Sequence, residues 1–309
     1  MSEDHKGLYF ALTGIELLPE CYPLGRGVEI CRTYVHLMAH PMVAFSPAKP
    51  GEAHPAPWKA VKPNIWGASR SSLDITAQLY VPSLPDRTQT SQWDAAGWIV
   101  FLLRLRTGMT LSMALIAEDP FASGASDKVT VTMCDFDFGW DYWGTYDKTR
   151  RITDVDLRWV AENWDESLNL MRDDRFSFAL VALYHSHRTY LPELRIVTVW
   201  AALERLFGDS TVELRFRVSA SIAAYLEPPG EGRFNLCRQL MKLYDYRSKA
   251  AHGQEIKENS AFESTMEIAR RALVKMIEKR HVPSTEELRR LLFGWDTLEA
   301  FGPTVQHGE

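Results

Sequence analysis

At 309 residues, with 46% apolar and 24% charged side chains, the chain has the composition of a folded soluble protein long enough for two domains. Its formal net charge of −5 argues against a general electrostatic grip on nucleic acid, which shows as a basic balance, and leaves room only for a local basic patch. The four cysteines, Cys21, Cys31, Cys134 and Cys237, have no short paired spacing. That pattern predicts neither a disulfide framework nor a cysteine zinc site, and it suits a reducing cytosol.

The N-terminal part reads as a strand-rich, mixed α/β domain over residues 1–150. Short β-branched or aromatic runs predict strands over Leu8–Leu18, Ser72–Val81 and Lys128–Cys134, with a further one over Leu111–Ala117. Leu8–Leu18 lacks the architecture of a signal peptide. Pro47, Pro50, Pro55, Pro57 and Pro63 predict a long surface loop. Trp93–Arg106 predicts the one helix of this domain. Its apolar stretch, Trp98–Leu103, is too short to cross a bilayer, so no membrane partner is expected and the protein reads as cytoplasmic. Trp58, Trp66, Trp93, Trp98, Trp140 and Trp143 are expected mostly in the core.

From about Asp154 the apolar period becomes helical. Helices are predicted over 156–171, 175–190 and 212–226. Another starts at Pro192, with the stripe Ile196, Val199, Trp200, Leu203 and Phe207, and stops at Gly208. Phe234, Cys237, Met241 and Tyr244 suggest the buried stripe of the next helix, and Phe262, Met266, Ala269, Leu273 and Met276 that of the last. Six helices with short connections predict an all-α bundle over 151–282, so the chain is α+β overall. The linker is placed in Tyr146–Thr153. Ser284-Thr-Glu-Glu287 has the capping-box pattern and opens a short helix in a tail, 283–309.

Glycine-rich phosphate loops are absent from the sequence. His36 and His40 have the i,i+4 spacing that would place two imidazoles on one helix face, but no third ligand accompanies them. His185 and His187 would point apart on a helix. No metal site and no cofactor are therefore expected.

Arg247-Ser-Lys-Ala-Ala-His252-Gly253 is the strongest chemical signal. His252 is the only one of the nine histidines with an arginine five to seven positions before it. Tyr244, Tyr246, Arg247, Ser248 and Lys249 crowd hydrogen-bond donors at a helix end, and Gly253 suits a helix stop. A guanidinium holds phosphoryl oxygens bidentately, and an imidazole moves a proton at cellular pH. On a regular helix, however, five residues turn the two side chains about 140° apart. The competing structural explanation pairs Arg247 with an acid such as Asp245 or Glu204 and leaves His252 as a helix cap.

The segment Leu243-Tyr-Asp-Tyr-Arg-Ser-Lys-Ala-Ala-His-Gly253 resembles the signature of the ApeA-like branch of the HEPN superfamily, and Ala202-Leu-Glu-Arg-Leu-Phe207 resembles a second block of that branch. The resemblance covers roughly residues 154–280. It implies a helical bundle, frequent homodimers and metal-independent endoribonuclease activity in toxins and phage-defence effectors. It maps the catalytic pair to Arg247 and His252. Ser248, Lys249 and Tyr246 are then expected to contact RNA, tRNA being one candidate, with Glu204 and Tyr244 supporting from behind. Ala250 and Ala251 depart from the larger apolar pair usual in the family. The N-terminal domain is expected to sense a trigger or select substrate, with a phage-derived or antitoxin partner as its binding class. The alternative is a non-catalytic dimerisation or nucleotide-binding adaptor.

Overall fold

A computed structural model of the protein describes residues 7–38, 42–44, 59–61, 72–84, 92–108, 111–121, 131–133, 151–208, 212–255 and 259–295. The chain is mixed α+β and forms two compact units. A sheet unit takes the chain to Arg104, then 109–138 and 147–158. A helical unit takes Leu105–Gly108, 139–146 and everything from Trp159 onward. Of the expected linker at 146–153, residues 146–150 lie outside the described residues; the last passage of the chain from the sheet unit to the helical unit falls between Arg158 and Trp159.

The sheet unit contains β1 (Leu8–Thr13), β2 (Cys21–Gly25), β3 (Val28–Met38), β6 (Ser72–Val81), β7 (Ser112–Ala117) and β8 (Val131–Met133) in the order β2-β3-β6-β1-β7-β8. Every neighbouring pair is antiparallel. β4 (Met42–Ala44) and β5 (Lys59–Val61) pair separately, so the proline-rich stretch expected to be loop contains a strand; its other residues are not among those described. The run Leu8–Leu18 is a strand only to Thr13, and Leu17 makes an isolated bridge to Ile152. The hairpin β2–β3 was not expected. Its register leaves Arg26 and Gly27 as a two-residue turn with φ of 53° and 78°, the double positive φ of a type I′ turn, where glycine carries no steric penalty.

Side chains alternate across the pleat. Ile30, Leu79, Phe10 and Ile116 lie in one row across four strands, none more than 4% exposed. Phe10 on that face meets the edge of Trp93, ring centroids 6.0 Å apart, at the start of α1 (Gln92–Thr107). Trp98 is buried as expected, whereas Trp93 is 40% exposed; the other four tryptophans named above lie outside the described residues. α1 is apolar on all sides, and its buried Arg104 donates from Nε and Nη2 to the Leu111 carbonyl at 2.9 and 2.6 Å. The opposite face of the sheet carries a row Cys21, Cys31, Gln78, Ala11 and Leu115. Cys21 and Cys31 are directly opposed and joined by a disulfide. This overturns the reading of the cysteines as unpaired, because a tight turn folds residue 21 onto residue 31.

The helical unit contains α2 (Asp154–Ser167, shared with the sheet unit at its first turns), a 3₁₀ turn (Leu168–Arg172), α3 (Asp174–Arg188), α4 (Pro192–Phe207), α5 (Leu214–Leu226), α6 (Glu231–Ala251), α7 (Asn259–Lys279) and α8 (Thr285–Leu292). Asp173 caps α3 by accepting from the amides of Arg175 and Phe176, Pro192 opens α4, and Ser284 with Glu287 forms the capping box of α8. The α4 stripe is buried as expected, each of its five residues 1% exposed or less. Trp164, Trp200, Tyr225, Phe176 and Phe207 fill the core. Among the described residues no helix is long and apolar enough to cross a membrane.

Phe10→Ala should cost the protein about 3–5 kcal/mol, the transfer and cavity cost of a fully buried phenylalanine. Urea unfolding followed by tryptophan fluorescence checks this, and a loss under 1 kcal/mol would mean that the row is not core.

Candidate functional site at the C-terminal end of helix α6

Helix α6 follows Pro228-Pro229-Gly230 and has apolar residues on two sides. Of the stripe Phe234, Cys237, Met241 and Tyr244, only Tyr244 is buried. Phe234 is 62% exposed, and the core seam is Leu236, Leu240, Leu243 and Ala250. Both sets keep the helical period, and the neighbouring helices select the leucines. The seam steps by four, three, four and three residues if position 247 is included, so Arg247 occupies a core position of the helix.

A charge at such a position requires a partner. Glu204 of α4 supplies it: Arg247 Nη2 donates to Oε2 at 3.2 Å, and Nε lies 3.0 Å from Oε1 without the alignment of a hydrogen bond. The side chains are 26% and 18% exposed. The guanidinium carbon sits 5.4 Å from the Tyr244 ring centroid, and Tyr244 meets Trp200 edge-on at 5.0 Å. Trp200 and Glu204, one turn apart on α4, thus face Tyr244 and Arg247, one turn apart on α6. Burial, and after it the negative charge of Glu204, raises the Tyr244 pKa; Arg247 lowers it by less than either, and a hydrogen bond to Glu204 adds the smallest rise.

The helix then stops in a Schellman arrangement. Gly253, at φ 72°, donates to the Ala250 carbonyl, and Gln254 donates to that of Lys249, each at 3.0 Å. His252 is the C-cap, exposed, with its amide 3.2 Å from the Ser248 carbonyl. No break of the helix occurs between Arg247 and His252, so their offset of about 140° remains. His252 lies three and four residues from Lys249 and Ser248, neighbours on one face. Lys249 is exposed, its Nζ 5.5 Å from the Tyr246 ring centroid. The helix end therefore groups Ser248, Lys249 and His252 outward, with Tyr246 beneath Lys249, while Arg247 joins Glu204 and Tyr244 on the inward side. Asp245, the other acid considered for Arg247, pairs with Arg215 of α5 at 2.7 Å. Ala250 is buried and Ala251 exposed, so one small residue packs and the other does not.

The remaining histidines separate from this site. His185 is exposed and His187 buried on α3, pointing apart as expected. His36 is on strand β3, not a helix, and its Nδ1 lies 2.7 Å from Oδ1 of Asp74 on the paired strand; Tyr34 donates to the same oxygen at 3.4 Å. His40 lies outside the described residues. Asp74 was missed because only strand register places residue 74 opposite residue 36. Arg215 was missed for the same reason in helical form.

Compared with family models, curated proteins and solved structures, the chain finds no match.

Glu204→Gln keeps the shape of the Arg247 partner and removes its charge. Stability should fall by on the order of 1–3 kcal/mol. The raised Tyr244 pKa contributes stability that is complete below the unfolded tyrosine value of about 10 and is lost as pH rises through the folded value. In the variant that alkaline loss should still begin near the unfolded value, but it should be smaller and end at lower pH. Tyrosine absorbance and denaturant titrations across alkaline pH report both, and an unchanged Tyr244 titration would show that Glu204 does not set it.

Proposed function

We propose that the helical unit is a metal-independent endoribonuclease of the HEPN type, a toxin or phage-defence effector acting on cytoplasmic RNA. The observation that carries the reading is the helix end itself: an exposed imidazole, an exposed ammonium and a hydroxyl stand together on its last turn, one helix face away from a guanidinium. In the proposed reaction a ribose 2′-oxygen attacks the adjacent phosphorus and expels the 5′-oxygen, leaving a 2′,3′-cyclic phosphate. His252 moves the proton, and Arg247 steadies charge on the non-bridging oxygens. Ser248, Lys249 and Tyr246 hold the substrate, and Glu204 with Tyr244 positions Arg247. The HEPN reading rests on the sequence blocks around Glu204 and Arg247; the sheet unit is assigned sensing or substrate selection.

Because one chain directs Arg247 and His252 to different sides, the proposal includes a homodimer in which the arginine of one protomer and the histidine of the other serve one phosphate. Arg247→Ala and His252→Ala should each reduce cleavage of total RNA at least about 100-fold. EDTA should leave the rate unchanged, and a 2′-deoxyribose at the cut site should block it. Strict dependence on a divalent ion would sink this reading.

Mixing the two inactive variants tests the shared site separately. Equal amounts should regain about a quarter of wild-type activity, since half the dimers are mixed and each holds one intact arginine–histidine combination. No recovery after verified subunit exchange would place both residues in one chain's site.

One observation favours a second reading, a phosphate-binding adaptor without catalysis: the Arg247 charge is already matched by Glu204. Wild-type protein that binds RNA or nucleotide through Arg247 and Lys249, yet yields no cyclic phosphate ends and no toxicity on expression, would establish it.

A further inference from the structure

The sheet unit holds a second cluster of reactive groups, independent of the helical unit. Cys21 and Cys31 are directly opposed on β2 and β3. Glu29 lies two residues before Cys31 on the same strand, so alternation puts it on the same face. The two sulfurs and a Glu29 carboxylate oxygen all lie within 4.8 Å of one another. Among the described residues this is the one group of three or more such side chains that converges in this way.

Packing does not account for the pair. Cysteine is among the most buried residue types, yet Cys21 is exposed and Cys31 only half-buried. Cys237, half-buried on α6, is the contrast: burial pushes its thiol pKa up, as for an inert thiol.

We propose that, in the reduced protein, Cys21, Cys31 and Glu29 bind one zinc-class divalent cation, and that oxidation of the two thiols to the disulfide releases it. Two thiolates and a carboxylate are a zinc donor set, and three protein ligands leave a fourth position to water. Zinc–sulfur bonds of about 2.3 Å place two sulfurs about 3.8 Å apart in a tetrahedral site, so the two sulfurs, bonded to each other in the disulfide, part on reduction to take the cation between them. The disulfide and the metal exclude each other because both use the same sulfur electron pairs. Reduction by a dithiol, which is itself oxidised to its disulfide, adds two electrons and two protons and yields two thiols; metal binding displaces those two protons. In the reverse direction a peroxide accepts the two electrons. The sulfur–sulfur bond forms, the peroxide oxygen–oxygen bond breaks, two protons from solvent complete two waters, and the cation leaves. Exposure at the β2 edge gives peroxide and metal access.

The test uses the full chain, reduced with a phosphine and freed of metal, and titrated with cobalt(II) as a spectroscopic stand-in for zinc. The expected result is a sulfur-to-cobalt charge-transfer band that saturates at one equivalent and is abolished by zinc. Peroxide should discharge the band as the thiols are lost. Cys21→Ser and Cys31→Ser should abolish it, and Glu29→Gln should weaken binding about tenfold or more. Circular dichroism checks the fold of each variant, and alkylating the reduced wild-type protein with iodoacetamide gives the same test without a substitution. A reduced wild-type protein with no charge-transfer band overturns the proposal. So does a band that survives alkylation, or equal uptake by the disulfide form. Wild-type affinity in Glu29→Gln overturns the role of the carboxylate.

Discussion

A half-buried guanidinium at a seam position of a helix needs a partner, since withdrawing a charge from water costs free energy that an opposite charge offsets. Arg247 falls in the seam that Leu236, Leu240, Leu243 and Ala250 define, and the rest of the helix end follows from how that charge is met. Glu204 accepts it, Tyr244 lies against it, and Trp200 packs behind Tyr244. Together these contacts set the rotation of α6 against α4. With the seam turned inward, Ser248, Lys249 and His252 have no alternative but to face outward. The outward group is thus a consequence of the inward ion pair.

The same pairing limits the electrostatics of the site. Arg247 with Glu204, and Arg215 with Asp245, are each close to neutral as pairs. Among the described residues, Lys249 is the cation of the last turn that lies outside these pairs. An anion approaching the helix end therefore meets a weak attraction, on a chain whose formal net charge is −5. A phosphate reaching Arg247 competes with a carboxylate already in place. Orientation and hydrogen bonding, more than bulk charge, have to hold a substrate there.

The sequence made the helices of the second half legible because an apolar period of 3.6 survives any arrangement of neighbours. On α4 it also identified the buried face, since Ile196 to Phe207 offered only one stripe. On α6 it did not: Phe234 and Leu236 start two stripes of equal period, and only contact with other helices distinguishes them. Strands β1, β6 and β7 were visible as β-branched runs. β2 was not, because Pro23 and Gly25 interrupt it and Arg26-Gly27 is not a familiar hairpin pair; β3 was not, because His36 near its end was weighed at helical spacing with His40 and not as part of a strand. Missing that turn also hid the disulfide, since ten residues of separation mean nothing until the chain is known to double back. The partnership of Arg247 with Glu204, 43 residues apart, could be entertained from the sequence but not chosen over Asp245.

β2 carries a further consequence for assembly. It is an edge strand of the six-stranded sheet, and open edges invite a strand from another molecule. Pro23, in the middle of its five residues, has no amide hydrogen to offer, and the register slips between Pro23 and Gly25. An incoming strand would find the ladder interrupted after two residues. The edge is therefore protected against sheet extension and fibre-like stacking, and the hairpin can remain at the surface without recruiting copies of itself.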